Sequence, residues 1–132
     1  MTTEQKGELK KHILGLTTFA SKNEGWDLKP YPLVIFKEDN NPDQMTSPTG
    51  HYIPEENSIT LYCKGRSLKD ICNTYSHELR HRNQDVQGKL SSDKLGESKN
   101  YTDGSDYLKE IEHDAFTHGN VLRRKYTESL QK

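Results

Sequence analysis

Apolar residues recur at helical spacing in three segments of this chain. The first covers residues 3–24 and is followed by Gly25, a typical helix stop. The second covers residues 67–87, begins with a Ser-x-x-Asp sequence similar to a capping box, and is followed by Gly88. The third covers about residues 105–129. The pattern therefore predicts three α-helices, the first two ending at a glycine.

Between the first two helices the pattern changes to that of short strands. The segment Leu33–Lys37 reads LVIFK, and its β-branched residues favour a strand. A hairpin is predicted over residues 50–64, with a turn at Pro54–Asn57 and a half-buried second strand whose alternating residues, from Ile59 on, face the core. The element order predicts one α+β domain over residues 1–132, with a small antiparallel sheet of about three strands packed against the helices.

Two polar segments, residues 38–50 and residues 88–104, carry no periodic pattern. The first is rich in turn residues, which predicts a loop. The second is long for a loop in a small domain, and such loops are often functional. Two interpretations of it remain open: a lid that covers a cleft, or a simple connector.

Composition narrows the class of protein. The net charge is -1, so no basic surface for nucleic acid is expected. No apolar run approaches the ~20 residues that span a bilayer, and the N-terminus lacks a signal-peptide pattern, so an intracellular protein without membrane contact is expected. Cys63 and Cys72 fit neither a metal pair nor a disulfide framework, and two buried, reduced thiols are predicted.

The predicted second helix contains the sequence H-E-L-R-H, formed by His77, Glu78 and His81. Two histidines four residues apart project from one face of a helix and can bind one zinc ion, and the intervening glutamate can take a proton from water. Chance alone supplies this motif in roughly one such chain in fifty, so its position must be examined.

Helical phase places the two histidines away from the apolar stripe of their helix. Successive residues are rotated by about 100° around the helix axis. Relative to Tyr75, the apolar residues of the stripe lie within about 60°, whereas His77 lies near 200° and His81 near 240°. Glu78 lies between the two faces. The alternative interpretation is a solvated face whose histidines point to water, so a third ligand decides between the two.

The predicted third helix offers four candidates for that ligand, namely Glu110, Glu112, His113 and Asp114. Glu110 and Asp114 are neighbours four residues apart at one edge of the apolar stripe, and Glu112 lies at the other edge. A zinc-bound histidine normally donates its second ring nitrogen to a carboxylate. We therefore expect Glu110 as the ligand and Asp114 as this outer carboxylate, whereas an ordinary charged face remains the alternative.

The HExxH motif followed by E-x-x-x-D resembles the gluzincin metallopeptidases. The likeness is to minimal domains of the ImmA/IrrE type and to small phage-encoded HExxH proteins, and it covers roughly residues 50–125. The resemblance implies one Zn²⁺ ion bound by His77, His81 and Glu110, with Glu78 as the general base and Asp114 behind the ligands. His113 departs from the small alanine that is usual there and is a minor alternative ligand. The position of Gln84, three residues after His81, is also similar to the phage-type proteins, and the sequence indicates no role for this residue.

The implied function is zinc-dependent hydrolysis of peptide bonds by water that Glu78 activates. A protein or peptide substrate, held at the edge of the hairpin, is expected, in an infected cell or a virion if the phage likeness applies. The alternative is a catalytically silent module for interaction or structure. Substrate identity and oligomeric state are not predictable from this sequence. Five residues are conceivable donors to a reacting oxygen: Tyr52, Tyr101, Tyr107, His118 and Arg123.

Overall fold

The computed structural model describes residues 2–38, 49–90 and 106–131. Its elements are α1 (Thr3–Asn23), β1 (Leu33–Lys37), β2 (Gly50–Ile53), β3 (Ser58–Tyr62), α2 (Leu68–Val86) and α3 (Asp106–Ser129). The α+β class is confirmed. Most of the predicted loops over residues 38–50 and 88–104, including the suggested lid, lie outside the described residues.

The boundaries of α1 and α2 are set by local capping residues, of which the sequence predicted the Ser67 cap and the two glycine stops. Thr2 caps α1 through a capping box with Gln5, and the Ser67 side chain accepts a hydrogen bond from the Asp70 backbone N–H at the start of α2. Gly25 and Gly88 follow the two C-caps with φ of +70° and +79°, a left-handed conformation that favours glycine. The stop signals in the sequence therefore acted as predicted.

The sheet differs from the prediction in one respect, because it is mixed rather than antiparallel. β2 and β3 form the expected antiparallel hairpin, but β1 pairs parallel with β3, giving the order β1-β3-β2. β3 is therefore the central strand, and all five of its residues are buried instead of alternating. A central strand reads as a continuous buried run, which explains why alternation was the wrong expectation here.

One apolar core joins the helices to the sheet. Apolar side chains of α1 and α2 pack with those of β3, and Leu122 and Tyr126 of α3 complete the cluster. Cys63 and Cys72 are both buried and free, as expected. Within the part of the chain that is described, we find no helix with the length and apolar character needed to cross a membrane.

Glycine permits the close contact between α2 and α3. A Cβ atom added to Gly119 would lie 2.9 Å from the His77 backbone nitrogen and 3.0 Å from its Cα atom. Because these are backbone atoms, they cannot move aside as a flexible side chain could. Gly119 therefore sets how closely α3 approaches the helix that carries the histidines.

Candidate metal centre

The two histidines of the HExxH sequence meet a carboxylate of α3. The Nε2 atom of His81 lies 3.0 Å from Oε1 of Glu112, and the Nε2 atom of His77 lies 3.3 Å from Oε2 of the same side chain. One ligand atom from each residue lies within 4.8 Å of the other two. These three side chains are therefore close enough together to hold a metal ion.

The carboxylate in this group is Glu112 and not the expected Glu110. Glu110 is exposed, about 160° away from Glu112 around the helix. Both edges of the apolar stripe of α3 face α2: Glu112 contacts the two histidines, and Asp114, at the other edge, contacts Arg80 and Gln84. The expectation for Glu110 rested on its acidic neighbour Asp114, which makes different contacts in the structure. His113, the minor alternative, is exposed.

Asp114, the expected outer carboxylate, does not contact a histidine ring of the group directly but is connected to His81 through Gln84. Nδ1 of His81 lies 2.7 Å from Oε1 of Gln84, and Nε2 of Gln84 donates to Oδ2 of Asp114 at 2.8 Å. Arg80 also donates two hydrogen bonds to Asp114, from Nε at 2.8 Å and from Nη2 at 3.1 Å. Burial alone would raise the pKa of Asp114, but the hydrogen bonds from Arg80 and Gln84 lower it to about 2.

The C-terminal part of α2 is enclosed on all sides rather than solvated. Four consecutive residues, His81 to Gln84, are 9 % exposed or less. The Arg82 guanidinium donates to the backbone oxygens of Leu28 and Pro30, and the Asn83 side chain donates to that of Asp27. The segment between α1 and β1 thus packs over the side of α2 that bears Arg82 and Asn83. His81 lies on another side, where its ring contacts Gln84 and Glu112, so it does not simply point to water.

Glu78 lies beside the histidines and is 8 % exposed. Burial raises the pKa of its carboxyl group, against the opposing charges of His81 and His77. The backbone N–H of Tyr52 donates to this carboxylate. Tyr52 lies opposite Ile59 in the antiparallel pairing of β2 with β3. The hydrogen bond from the Tyr62 N–H to the Thr49 oxygen marks these two residues as a hydrogen-bonded pair. Because such pairs alternate along the strands, Tyr52 and Ile59 form a non-hydrogen-bonded pair, and the backbone N–H of Tyr52 points away from β3. The edge strand β2 therefore orients the glutamate.

Nε2 of His81 and Oε1 of Glu112 lie 3.0 Å apart, and each group affects the pKa of the other. Hydrogen bonds from His77 and His81 lower the pKa of Glu112 well below its usual range. Burial disfavours the charged ring of His81, but the hydrogen bond to Glu112 and the charge of Glu78 outweigh it and raise the pKa of His81. Glu78 and Glu112 therefore favour a positive charge at the position of His81. A divalent cation bound there would also provide a positive charge.

A cleft of about 660 Å³ opens in front of these residues. Besides the three candidate ligands and Glu78, it is lined by β2, by Asn73 and Thr74 of α2, and by Phe116 and Asn120 of α3. Phe116 is 62 % exposed there. The cleft is thus long enough to run from the edge strand across the candidate metal group to α3.

The conceivable donors to a reacting oxygen are mostly engaged elsewhere. The hydroxyl of Tyr52 donates to Asp85, that of Tyr107 donates to the Lys89 backbone oxygen, and Nδ1 of His118 contacts Asp114. Tyr101 lies outside the described residues. Of the candidates within the described ranges, Tyr52 alone lines the cleft described above.

Sequence reasoning missed two residues of this site. Glu112 lies at the opposite edge of the apolar stripe from Glu110 and Asp114, and the motif assigns no role to Gln84. The signal for Gln84 was its position three residues after His81, because side chains at this spacing are neighbours on a helix.

Comparison of the chain with protein-family models, curated proteins and solved structures found no match.

Proposed function

We propose that this chain is a small zinc peptidase in which His77, His81 and Glu112 bind one Zn²⁺ ion and Glu78 is the general base. The observation that carries this proposal is the convergence of two Nε2 atoms and one carboxylate from two helices. The resemblance to minimal gluzincins supports it, with Glu112 in place of Glu110 as the third ligand.

The donor set fits zinc in kind and in spacing. Zinc is commonly bound by imidazole nitrogens and carboxylate oxygens at ~2.0–2.2 Å, which places two tetrahedral ligand atoms about 3.3 Å apart. The contacts of Glu112 with His77 and His81 measure 3.3 and 3.0 Å. Each histidine nitrogen therefore lies near the required distance from one oxygen of the carboxylate, His77 from Oε2 and His81 from Oε1. Three protein ligands are also the number that leaves zinc a position for substrate or water.

A bound zinc ion would polarise a peptide carbonyl and lower the pKa of water toward neutrality. Glu78 would take the proton of the attacking water and deliver it to the leaving amine. Its burial suits this role because a raised pKa brings the carboxylate closer to the pH at which it must both accept and release a proton. The hydrogen bond from the Tyr52 backbone N–H would keep the Glu78 carboxylate beside the cleft.

The cleft provides a place for an extended chain. β2 lies at one edge of the described sheet, and a peptide laid along it would pass in front of His77 and His81. A peptide is therefore the substrate class that we propose.

Peptide cleavage by a Glu78→Gln variant tests the catalytic part of the proposal. The zinc-loaded wild type and this variant are incubated with a mixed peptide library, and products are counted by mass spectrometry. Glu110→Gln is the matched control, because it removes an exposed carboxylate of α3 away from the ligands. We expect cleavage by wild type and control, a loss of about 100- to 10,000-fold in Glu78→Gln, and no cleavage with chelator. Equal products from wild type and Glu78→Gln, or none from wild type, would contradict it and favour a silent binding module.

A further inference from the structure

Gln84 occupies a buried position between the two helices that supply the candidate ligands. It is 1 % exposed. Its Oε1 atom faces Nδ1 of His81 at 2.7 Å. Its Nε2 group donates to the Ile111 backbone oxygen at 3.0 Å and to Oδ2 of Asp114 at 2.8 Å. One side chain therefore uses both amide protons on α3 and its oxygen on α2.

The orientation of this amide follows from its partners. The two groups near Nε2, a backbone carbonyl and a carboxylate, only accept hydrogen bonds. A rotated amide would place its oxygen against both of them in a buried environment, which is strongly unfavourable. Arg80 holds the carboxylate of Asp114 in place with two hydrogen bonds, and its guanidinium lies 4.9 Å from the ring centroid of Trp26. The acceptor that fixes Gln84 is thus itself fixed.

We propose that Gln84 is the positioning residue that sets the tautomer and ring orientation of His81. Because Oε1 of Gln84 can only accept, Nδ1 of His81 must carry a hydrogen. The neutral ring then presents the lone pair of Nε2 to the group formed with His77 and Glu112. This inference rests on the proposed metal site for its purpose, but not for its geometry.

Glu112 competes for the same ring proton, since it lies 3.0 Å from Nε2 of His81. The two acceptors differ in exposure. The Glu112 side chain is 62 % exposed, so water can hydrogen-bond its carboxylate when the ring does not. Gln84 is closed off from water, and its oxygen would lose its partner. The balance therefore favours a hydrogen on Nδ1.

The same contacts connect ligand placement on the two helices. Ile111 and Asp114 flank Glu112 in the sequence of α3. By binding both of them, Gln84 ties the turn that bears Glu112 to the ring of His81. A change at Gln84 should therefore affect metal affinity even though its side chain does not touch the ion.

The test uses two variants that separate hydrogen bonding from packing. Gln84→Met keeps the approximate volume but removes the amide. Gln84→Glu combined with Asp114→Asn exchanges the donor and the acceptor between residues 84 and 114 and still leaves an oxygen facing His81, but it loses the donation to the Ile111 oxygen. Ring nitrogen signals of His81 are recorded by ¹⁵N NMR in metal-free protein under alkaline conditions that keep the ring neutral, with His77 as the internal reference. Zn²⁺ affinity is then measured by competition with a chromophoric chelator.

We expect the hydrogen on Nδ1 in wild type and in the double variant, and a shift toward Nε2 in Gln84→Met. Zinc binding should weaken about 10- to 100-fold in Gln84→Met and be stronger in the double variant than in Gln84→Met, but below the wild type because the Ile111 contact is lost. A hydrogen on Nε2 in the wild type, or an unchanged tautomer in Gln84→Met, would overturn the proposal. The NMR result needs no metal, so a wild type that shows the Nδ1 hydrogen but binds no zinc would refute the proposed function and leave this inference standing.

Discussion

Gly119→Ala is the substitution that most directly probes the contact between α2 and α3. The new Cβ atom would lie 2.9 Å from His77 N, 3.0 Å from His77 Cα and 3.1 Å from Ser76 C. Ordinary contacts of this kind are about 3.5–4.0 Å, so the helices must separate by roughly half an ångström or more at their crossing. Overpacking of this kind costs about 1–3 kcal/mol.

The intrinsic preference of helices for alanine over glycine works in the opposite direction, by about 1 kcal/mol. Gly7→Ala supplies the matched control, because Gly7 lies in α1 and a Cβ atom there would have no heavy atom within 4 Å. The free energies of unfolding of both variants are measured with urea in the presence of chelator. We expect Gly7→Ala to equal or exceed the wild type, and Gly119→Ala to lie about 1–3 kcal/mol below Gly7→Ala.

The same substitution should weaken zinc binding. Glu112 lies two helical turns before Gly119 on α3, so a displaced helix carries the carboxylate away from the histidines. Isothermal titration with Zn²⁺ measures this effect. If Gly119→Ala matches Gly7→Ala in both stability and zinc affinity, the close helix crossing does not set the geometry of the site.

Two further predictions concern pH and thiol chemistry. Because the pKa of Asp114 is lowered to about 2 in the folded protein, its contribution to stability is fully present above the unfolded value of ~3.9 and is lost as the pH falls toward 2. The metal-free wild type should therefore exceed Asp114→Asn by about 2 kcal/mol at pH 7, and urea titrations should show this difference narrowing below about pH 4; a constant difference would contradict the reasoning. Burial raises the pKa of Cys72 to about 11, so a thiol reagent at pH 8 should modify it far more slowly in the native protein than in denaturant, and equal rates would show that the thiol is accessible.

The elements of this fold were largely predictable because their signals are local. Capping residues, glycine stops and apolar stripes act within one helix, and they placed the ends of α1 and α2 within about a residue. The parallel pairing of β1 with β3 was not predictable in this way. It depends on how a strand distant in sequence docks against the hairpin, which no periodicity within LVIFK records.

The candidate site shows the same division. The face of α2 that bears His77 and His81 followed from helical phase, and the presence of an acid on α3 followed from the motif. Which edge of α3 meets the histidines is a property of packing: Glu112 contacts them, whereas Asp114 at the other edge contacts Arg80 and Gln84. The argument for Glu110 assumed that the outer partner of a histidine is a carboxylate on the other helix. Here Gln84, on the same helix as His81, takes that role and uses Asp114 as its own acceptor.

Zinc content tests the central claim most directly. The purified wild type, Glu112→Ala and Glu110→Ala are loaded with Zn²⁺, dialysed and analysed by inductively coupled plasma mass spectrometry. The account predicts one zinc ion per chain in wild type and in Glu110→Ala, and loss of the ion in Glu112→Ala. A wild type without stoichiometric zinc, or a loss in Glu110→Ala but not in Glu112→Ala, would contradict it.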